Sequence, residues 1–372
     1  MNRSTLKASA ELCILVRTVL VGLVGLTLAS AALAERTEAF SFEGRSLFLG
    51  NLIGEIHVEG HDGNAFEVEV TIRGRDAGRL APELIARQGR RSSLEIAFPV
   101  AQERRFVYPP LGRGRTTIAS RRRDGDRGWL RELLDAVTGE RIEISGRGSG
   151  SEVWADVMVR VPRGRVFELQ HGVGEVSASG VDGELSLDLM SGAVAAERIR
   201  GSLEISTGSG SVDLADIDGE LSVDTGSGAV TVTRADSPRL AIDTGSGPVD
   251  LTDVRSRSLL VDTGSGSVTA RGVSADSATI DTGSGEVVVA FVEMGSGAFE
   301  IDTGSGSITL LVPSYTSAQV QADTGSGGIQ VDLRDYETLH RGRDELKIRL
   351  GGGAANVRLD TGSGSIRVAA SN

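Results

Sequence analysis

Beyond Cys13 this chain of 372 residues contains no cysteine. Disulfides are therefore excluded as a staple after that point, and packing with backbone hydrogen bonding must hold the fold. Cys13 has no leucine three residues upstream and precedes the main apolar run, which argues against lipid attachment through it. Aromatic residues make up only 4% of the chain, unusual for an ordinary enzyme domain. Histidine is as scarce. His57 and His61 lie roughly 13 Å apart along an extended chain, His171 and His340 are isolated, and no cysteine is near to complete a zinc set. "GRGSGSE" at 146–152 has the glycines of a phosphate cradle without the lysine. No Gly-x-Ser-x-Gly follows a strand and opens a helix, which removes the serine-hydrolase elbow.

What is present begins with a leader. Arg3, Lys7 and Arg17 precede the uncharged stretch "TVLVGLVGLTLASAALA", which ends in Ala32-Leu33-Ala34. A basic segment, an apolar segment and an A-x-A site predict a signal peptide over 1–34, cleaved before Glu35. The formal net charge is −12. Removing the leader's three basic residues and Glu11 takes it to −14, which argues against nucleic acid as a general partner.

The sequence is dominated by glycine, with 50 residues, and by one repeated phrase. "DTGSG" begins at Asp224, Asp243, Asp262, Asp281, Asp302, Asp323 and Asp360, with weaker copies at Gln170, Asp188 and Ser206. Four positions later every copy has glycine, six positions later Val or Ile, and eight positions later an apolar residue. Each repeat reads as two short period-two strands, one corner at Gly-Ser-Gly and the other in segments such as "ADIDGE", "ADSPR" and "VRSRS". One such unit cannot bury its apolar face alone, so the expected fold is an all-β, parallel β-solenoid of 18–21-residue coils. About eleven coils from residue 167 onward, ~4.8 Å apart, give a rod roughly 50 Å long.

An apolar residue followed by Asp-Thr-Gly-Ser is also how aspartic proteases present a catalytic carboxylate. Such an enzyme needs one pair sharing a proton, and seven regularly spaced copies point instead to a structural turn ladder. The threonines are expected to face inward. The aspartates are expected to face outward and accept turn amides as Asx-turns do, while glycine supplies positive φ at the corner. Calcium bridging of neighbouring carboxylates is the alternative, but "GGxGxD" is absent; no cofactor and no metal set is expected. No catalytic residue is assigned.

"LFLGNLIGEIHVEG" places Leu47, Leu49, Gly54, Ile56 and Val58 in the same columns, as a divergent first coil. "GEIHVEGHDGNAFEVEVTIRGR", then "VMVRVPRG", the "DTGSGSV" copies and the ending "LKIRLGGGAANVRLDTGSGSIRV" resemble the bacterial adhesin-like family with the toast-rack fold, a domain of unknown function. The resemblance covers roughly 40–75 and 155–372. It implies an exported, non-enzymatic β-solenoid tied to cell-surface binding or envelope sensing, with no catalytic residues to carry over.

The chain thus divides into leader 1–34, first strands and coil 35–75, an arginine-rich insertion or cap 76–152, and repeats 153–372. Within the insertion, "RLAPELIARQ" reads as a short turn of helix, "SLEIAFPV" as a strand, and "GWLRELLDAV" at 128–137 as an amphipathic helix. Residues 104–131 hold nine arginines against Asp124 and Asp126, leaving −21 on the rest of the mature chain. Arg104, Arg105, Arg113, Arg115, Arg121, Arg122 and Arg123 are the candidate ligands for an anionic partner, a lipid headgroup or acidic glycan, since guanidinium binds phosphate and carboxylate bidentately. The same stretch can instead fold back to neutralise the acidic coils. The expected function is a periplasmic or surface interaction module that binds envelope components or another envelope protein. The alternative is a solenoid glycan-active enzyme, a polysaccharide lyase or hydrolase, which would break the repeat with a cleft of acids, bases and aromatics.

Overall fold

The structure is a computed structural model that describes residues 35–118 and 141–371. The expected leader over 1–34, the helix at 128–137 and Arg121 to Arg123 lie outside the described residues. What is described is almost entirely strand, with one short α-helix.

The columns read from the sequence are the register of the sheets. Val223, Ile242, Val261, Ile280 and Ile301 are successive partners on one face. Val212, Val230, Val249, Val268, Val287 and Ile308 are successive partners on the other. All are buried. β-branched side chains suit a pleated, half-buried strand, and each buried Val or Ile contributes about 1.5–3 kcal/mol of hydrophobic stabilisation. The divergent first coil fits in register too: Leu47 pairs with Phe167, Leu49 with Leu169, Ile56 with Val176 and Val58 with Ala178.

The two corners of a coil are built differently. At "DTGSG" the chain leaves the strand for a compact turn. At the other corner it does not leave the strand at all: Val212–Thr225, Val230–Thr244 and Val249–Thr263 each run through both faces as one element. The bend is a single left-handed residue, with φ between 54° and 57° at Arg198, Asp216, Arg234 and Asp253. Non-glycine residues there cost about 1–2 kcal/mol each. Glycine takes the same position in flanking coils, as Gly180 and Gly272 with φ of 64° and 69°.

The ends depart from simple stacking. At the N-terminal end, Phe66–Arg73 runs antiparallel to both Arg36–Phe42 and Trp154–Pro162. Glu83–Arg87 runs antiparallel to Arg91–Ala97, which itself lies parallel to the first coil. The expected helical turn over "RLAPELIARQ" is corrected to a helix of four residues, Ala77–Leu80, and a strand. Pro82 disfavours helix at Ala81, and Leu84 and Ala86 then pair with Ile96 and Leu94.

The C-terminal end is re-ordered. The Asp360 coil does not follow the Asp323 coil but is inserted beneath it: Asp302 pairs with Asp360 and Asp360 with Asp323. On the second face Ile366 likewise lies between Ile308 and Ile329. The 37-residue gap is therefore a detour rather than two rungs in succession. Its residues form the antiparallel pair Glu337–Arg341 and Glu345–Leu350, and the latter strand closes against Ala318–Thr324.

Candidate functional site

The arginine-bearing insertion forms a second, three-stranded sheet in which Ile142–Ser145 lies between Arg105–Val107 and Arg115–Ile118. Phe106, Tyr108, Ile118, Ile142 and Ile144 bury its inner side. Tyr108 meets the Trp154 ring at 5.8 Å and Phe98 meets Phe106 at 6.0 Å, both edge to face. Burial raises the Tyr108 phenol pKa, reinforced by Asp156, Glu55 and Glu175 nearby.

Hydrogen bonds tie this sheet to its surroundings. The Glu103 carboxylate accepts the amides of Arg104 and Arg105 and the Ser151 hydroxyl at 2.9–3.0 Å. Those bonds, the Arg105 amide first, hold its pKa below the usual carboxylate value. Glu143 sits opposite Arg105 in the register and 3.2 Å from the Arg115 guanidinium. The structure thus brings Arg105 and Arg115 together around one carboxylate and leaves Arg105, Arg113 and Arg115 exposed, with Arg104 half-buried.

The Asp ladder is a stack of carboxylates at adjacent rungs, from Asp224 through Asp302 to Asp360 and Asp323. Partial burial, then the charges of Asp243 and Asp281, raises the pKa of Asp262. Asp302 is raised by burial and by Asp360 and Asp281. Repetition on an open face gives no isolated proton-sharing pair of the kind a protease uses.

The turn itself is held by threonine, which corrects the expected Asx-turn. Thr225, Thr244, Thr263, Thr282, Thr303, Thr324 and Thr361 are buried. Each Oγ1 accepts the amide of the glycine three residues on, at 2.9–3.1 Å. From Thr244 onward each hydroxyl also donates to a glycine carbonyl in the preceding rung, at 2.9–3.3 Å. Neither Asp262 nor Asp281 accepts a turn amide from the described residues. Where the column holds Asn51, His171 or Leu189, the turn is of another kind. The amides of Gly54, Gly174 and Gly192 then donate to carbonyls of the next rung, Val173, Ser191 and Ser209.

Glycine in the turns from Thr225 onward serves close approach rather than positive φ. A Cβ on Gly266 would lie 1.9 Å from the Gly247 carbonyl oxygen, and one on Gly285 1.8 Å from that of Gly266. Left-handed φ at this corner occurs in the earlier coils, as at Gly174 with φ of 144°.

Register also creates contacts that spacing along the chain hid. His171 occupies the threonine column, 1% exposed, with its two ring nitrogens 3.1 and 3.0 Å from the carbonyls of Asn51 and Gly54. Burial lowers its pKa to about 4, against the pull of those two bonds. His57 and Ser177 are neighbours one rung apart, with Nδ1 to Oγ at 2.7 Å and Glu55 3.6 Å from Nε2. The signal was available, since both lie seven positions past the start of their repeats. This trio is half-exposed and lines a small cavity of about 110 Å³ together with Glu175, Val176 and Asp213. His61 closes its own turn on the Ala65 carbonyl, and His340 faces Glu345 at 3.7 Å. Among the described residues no three His, Cys, Asp or Glu side chains are grouped to hold a metal ion.

Comparison with solved structures finds two chains that align over most of this one. A cell adhesion protein candidate from Clostridium sporogenes ATCC 15579 aligns over 91% of this chain and 100% of its own, at 12% identity and a TM-score of 0.22. An adhesin candidate from Bacteroides fragilis NCTC 9343 aligns over 90% of this chain and 96% of its own, at 8% identity and a TM-score of 0.29. No curated protein matches. The family profile described as Toastrack DUF4097 matches residues 138–369, from the last strand of the arginine-bearing sheet to the inserted C-terminal coil. With well over half its length matched, and with threonine-locked coils where that profile lies, this chain belongs to the Toastrack DUF4097 family.

Proposed function

We propose that this protein is an exported, non-catalytic β-solenoid that acts as an interaction module of the cell envelope, in the periplasm or at the cell surface. Its arginine-bearing sheet is the contact for anionic envelope material. The observation that carries the reading is the charge separation built into the fold. Exposed Arg105 and Arg115 sit on a small sheet of their own, with Arg113 in the turn that leads into it, while the repeats present stacked carboxylates. Guanidinium forks on a firm strand pair bind phosphate or carboxylate oxygens bidentately. The sequence features of the leader support export. Catalysis is disfavoured because the DTGSG carboxylates recur without a distinguished pair.

The test is cosedimentation with phosphatidylcholine vesicles, with and without phosphatidylglycerol. Binding should require the anionic lipid, weaken steeply with added salt, and fall at least tenfold in an Arg105→Gln/Arg113→Gln/Arg115→Gln variant. Binding that is indifferent to lipid charge, or unaffected by the triple variant, would remove the sheet from the proposal.

A further inference from the structure

We propose that the left-handed corner of the coils is a binding groove for an uncharged glycan chain lying along the solenoid axis. A cavity of about 680 Å³ extends there from Arg163 to Arg255. A second, of about 440 Å³, continues it to Gly295, and the two share Asp236 and Arg255 as lining residues. Together the two run along the corner from Arg163 to Gly295 and share no lining residue with the arginine-bearing sheet. A glycan could bind there whether or not the sheet meets anionic envelope material.

The groove has an apolar floor and two charged walls. Val181, Ile217 and Ala235 form the floor and are buried. One wall is the bend column itself: Arg198, Asp216, Arg234 and Asp253. The other stands two residues further on, with Arg200, Asp218, Asp236 and Arg255. Glycine at Gly180 and Gly272 shows that the bend accepts an unstrained residue. Four successive coils nevertheless place long or charged side chains in the left-handed region, a local strain of the kind found where function needs a group at one spot. Mutual pairing accounts for part of this: the Arg234 guanidinium donates to both Asp216 oxygens, at 2.6 and 2.9 Å. Arg200 and Arg255 form no ion pair among the described residues, so their donors are open to a ligand.

Spacing and charge select the ligand class. Arginines and carboxylates nearly balance along the trough, so a polyanion meets as many repelling groups as attracting ones, and so does a polycation. An extended peptide advances ~3.3 Å per residue against ~4.8 Å per rung and falls out of step within two or three residues. A 1,4-linked pyranose advances by nearly one rung per sugar. Its vicinal hydroxyls both donate and accept, and so match carboxylates and guanidinium forks in alternation. Among the described residues no aromatic ring lines the groove to stack on a sugar face. Recognition therefore depends on repeated hydrogen bonds, and affinity should grow with chain length.

The test is isothermal titration calorimetry of the full chain against a trimer and a hexamer of β-1,4-linked glucose, with a galacturonate hexamer as the acidic comparison. The neutral hexamer should bind at least tenfold tighter than the trimer and tighter than the galacturonate. Arg200→Gln and Asp218→Asn should each weaken the hexamer severalfold, whereas Asp262→Asn, in the Asp ladder outside the groove, should not. No binding of either hexamer at millimolar concentration overturns the proposal. So does tighter binding of the acidic hexamer, or binding that ignores the groove substitutions.

Discussion

Thr263→Val is the sharpest probe of the threonine relay. Valine keeps the shape of the side chain and exchanges one hydroxyl for a methyl. Thr263 is fully buried, its hydroxyl accepts the Gly266 amide at 3.0 Å, and it donates to the Gly247 carbonyl at 3.2 Å. Each buried backbone group left without a partner costs about 1–3 kcal/mol, while the added methyl returns about 0.8 kcal/mol. Part of the loss can be recovered, because the Leu189 coil shows an escape. There the equivalent amide, on Gly192, donates to the next rung's Ser209 carbonyl. The expected net loss is about 2 kcal/mol, set by the carbonyl and by strain in shifting one turn against unshifted neighbours. Thr263→Ser is the control, since it keeps the hydroxyl and should cost about 1 kcal/mol for the missing methyl. Urea unfolding supplies the stability difference. Amide exchange at Gly266 supplies the local reading that a stack of coupled coils requires. A valine variant as stable as the serine variant, with Gly266 protection unchanged, would refute the relay as a source of stability.

Other perturbations test neighbouring columns. Asp262→Asn should raise stability at neutral pH, by no more than about 1 kcal/mol because the carboxylate is solvent-exposed. The folded pKa of Asp262 is raised, so the wild type loses stability as pH rises through that folded pKa; the Asn variant should show a flatter urea-midpoint profile there. Gly266→Ala should cost about 3 kcal/mol or more by overpacking, since its Cβ would press on the Gly247 carbonyl. Gly328→Ala, in open space without a positive φ, should change stability by no more than about 0.5 kcal/mol, and similar melting shifts for the two would refute close approach as the reason for glycine. His171 titrates in the opposite sense to Asp262. Its folded pKa of about 4 lies below the unfolded value, so its contribution is present above about pH 6.5 and is lost as pH falls toward 4, by up to about 3 kcal/mol. His171→Asn, which places in this coil the residue that Asn51 supplies to the same column, should flatten that acid limb of the urea midpoint.

The columns were legible because repetition multiplies a weak signal. Val, Ile and Leu recurring at fixed positions over successive coils leave one register, and the structure has that register even in the divergent coil at Leu47 and Ile56. The assignment of turn chemistry was less legible. Aspartate and threonine are both good turn acceptors, and only the direction of each side chain decides between them; Thr263 points in and Asp262 points out. The groove could not be read from the sequence, because a one-residue bend leaves the alternation of strand residues nearly intact. Arg234 and Asp253 also lie one residue before "ADSPR" and "VRSRS", the turn-rich segments in which the sequence places the corner. The order of the last coils was hidden for a different reason. The Asp360 and Asp323 copies are interchangeable in sequence, so nothing local states which one lies next to Asp302.

That inversion makes the Asp360 coil a keystone. Until residues 355–370 emerge, Ala298–Thr303 and Ile308–Val312 present an open edge, and Ile329–Asp332 has no strand to pair with. The rod cannot be completed by winding on one coil after another as the chain is made. The place beside Asp302 must wait for a coil that comes later in the chain than Asp323. In a plain solenoid each coil would rest on the one before it in the chain; here Asn356 to Ala369 is clasped on both sides by strands that precede it.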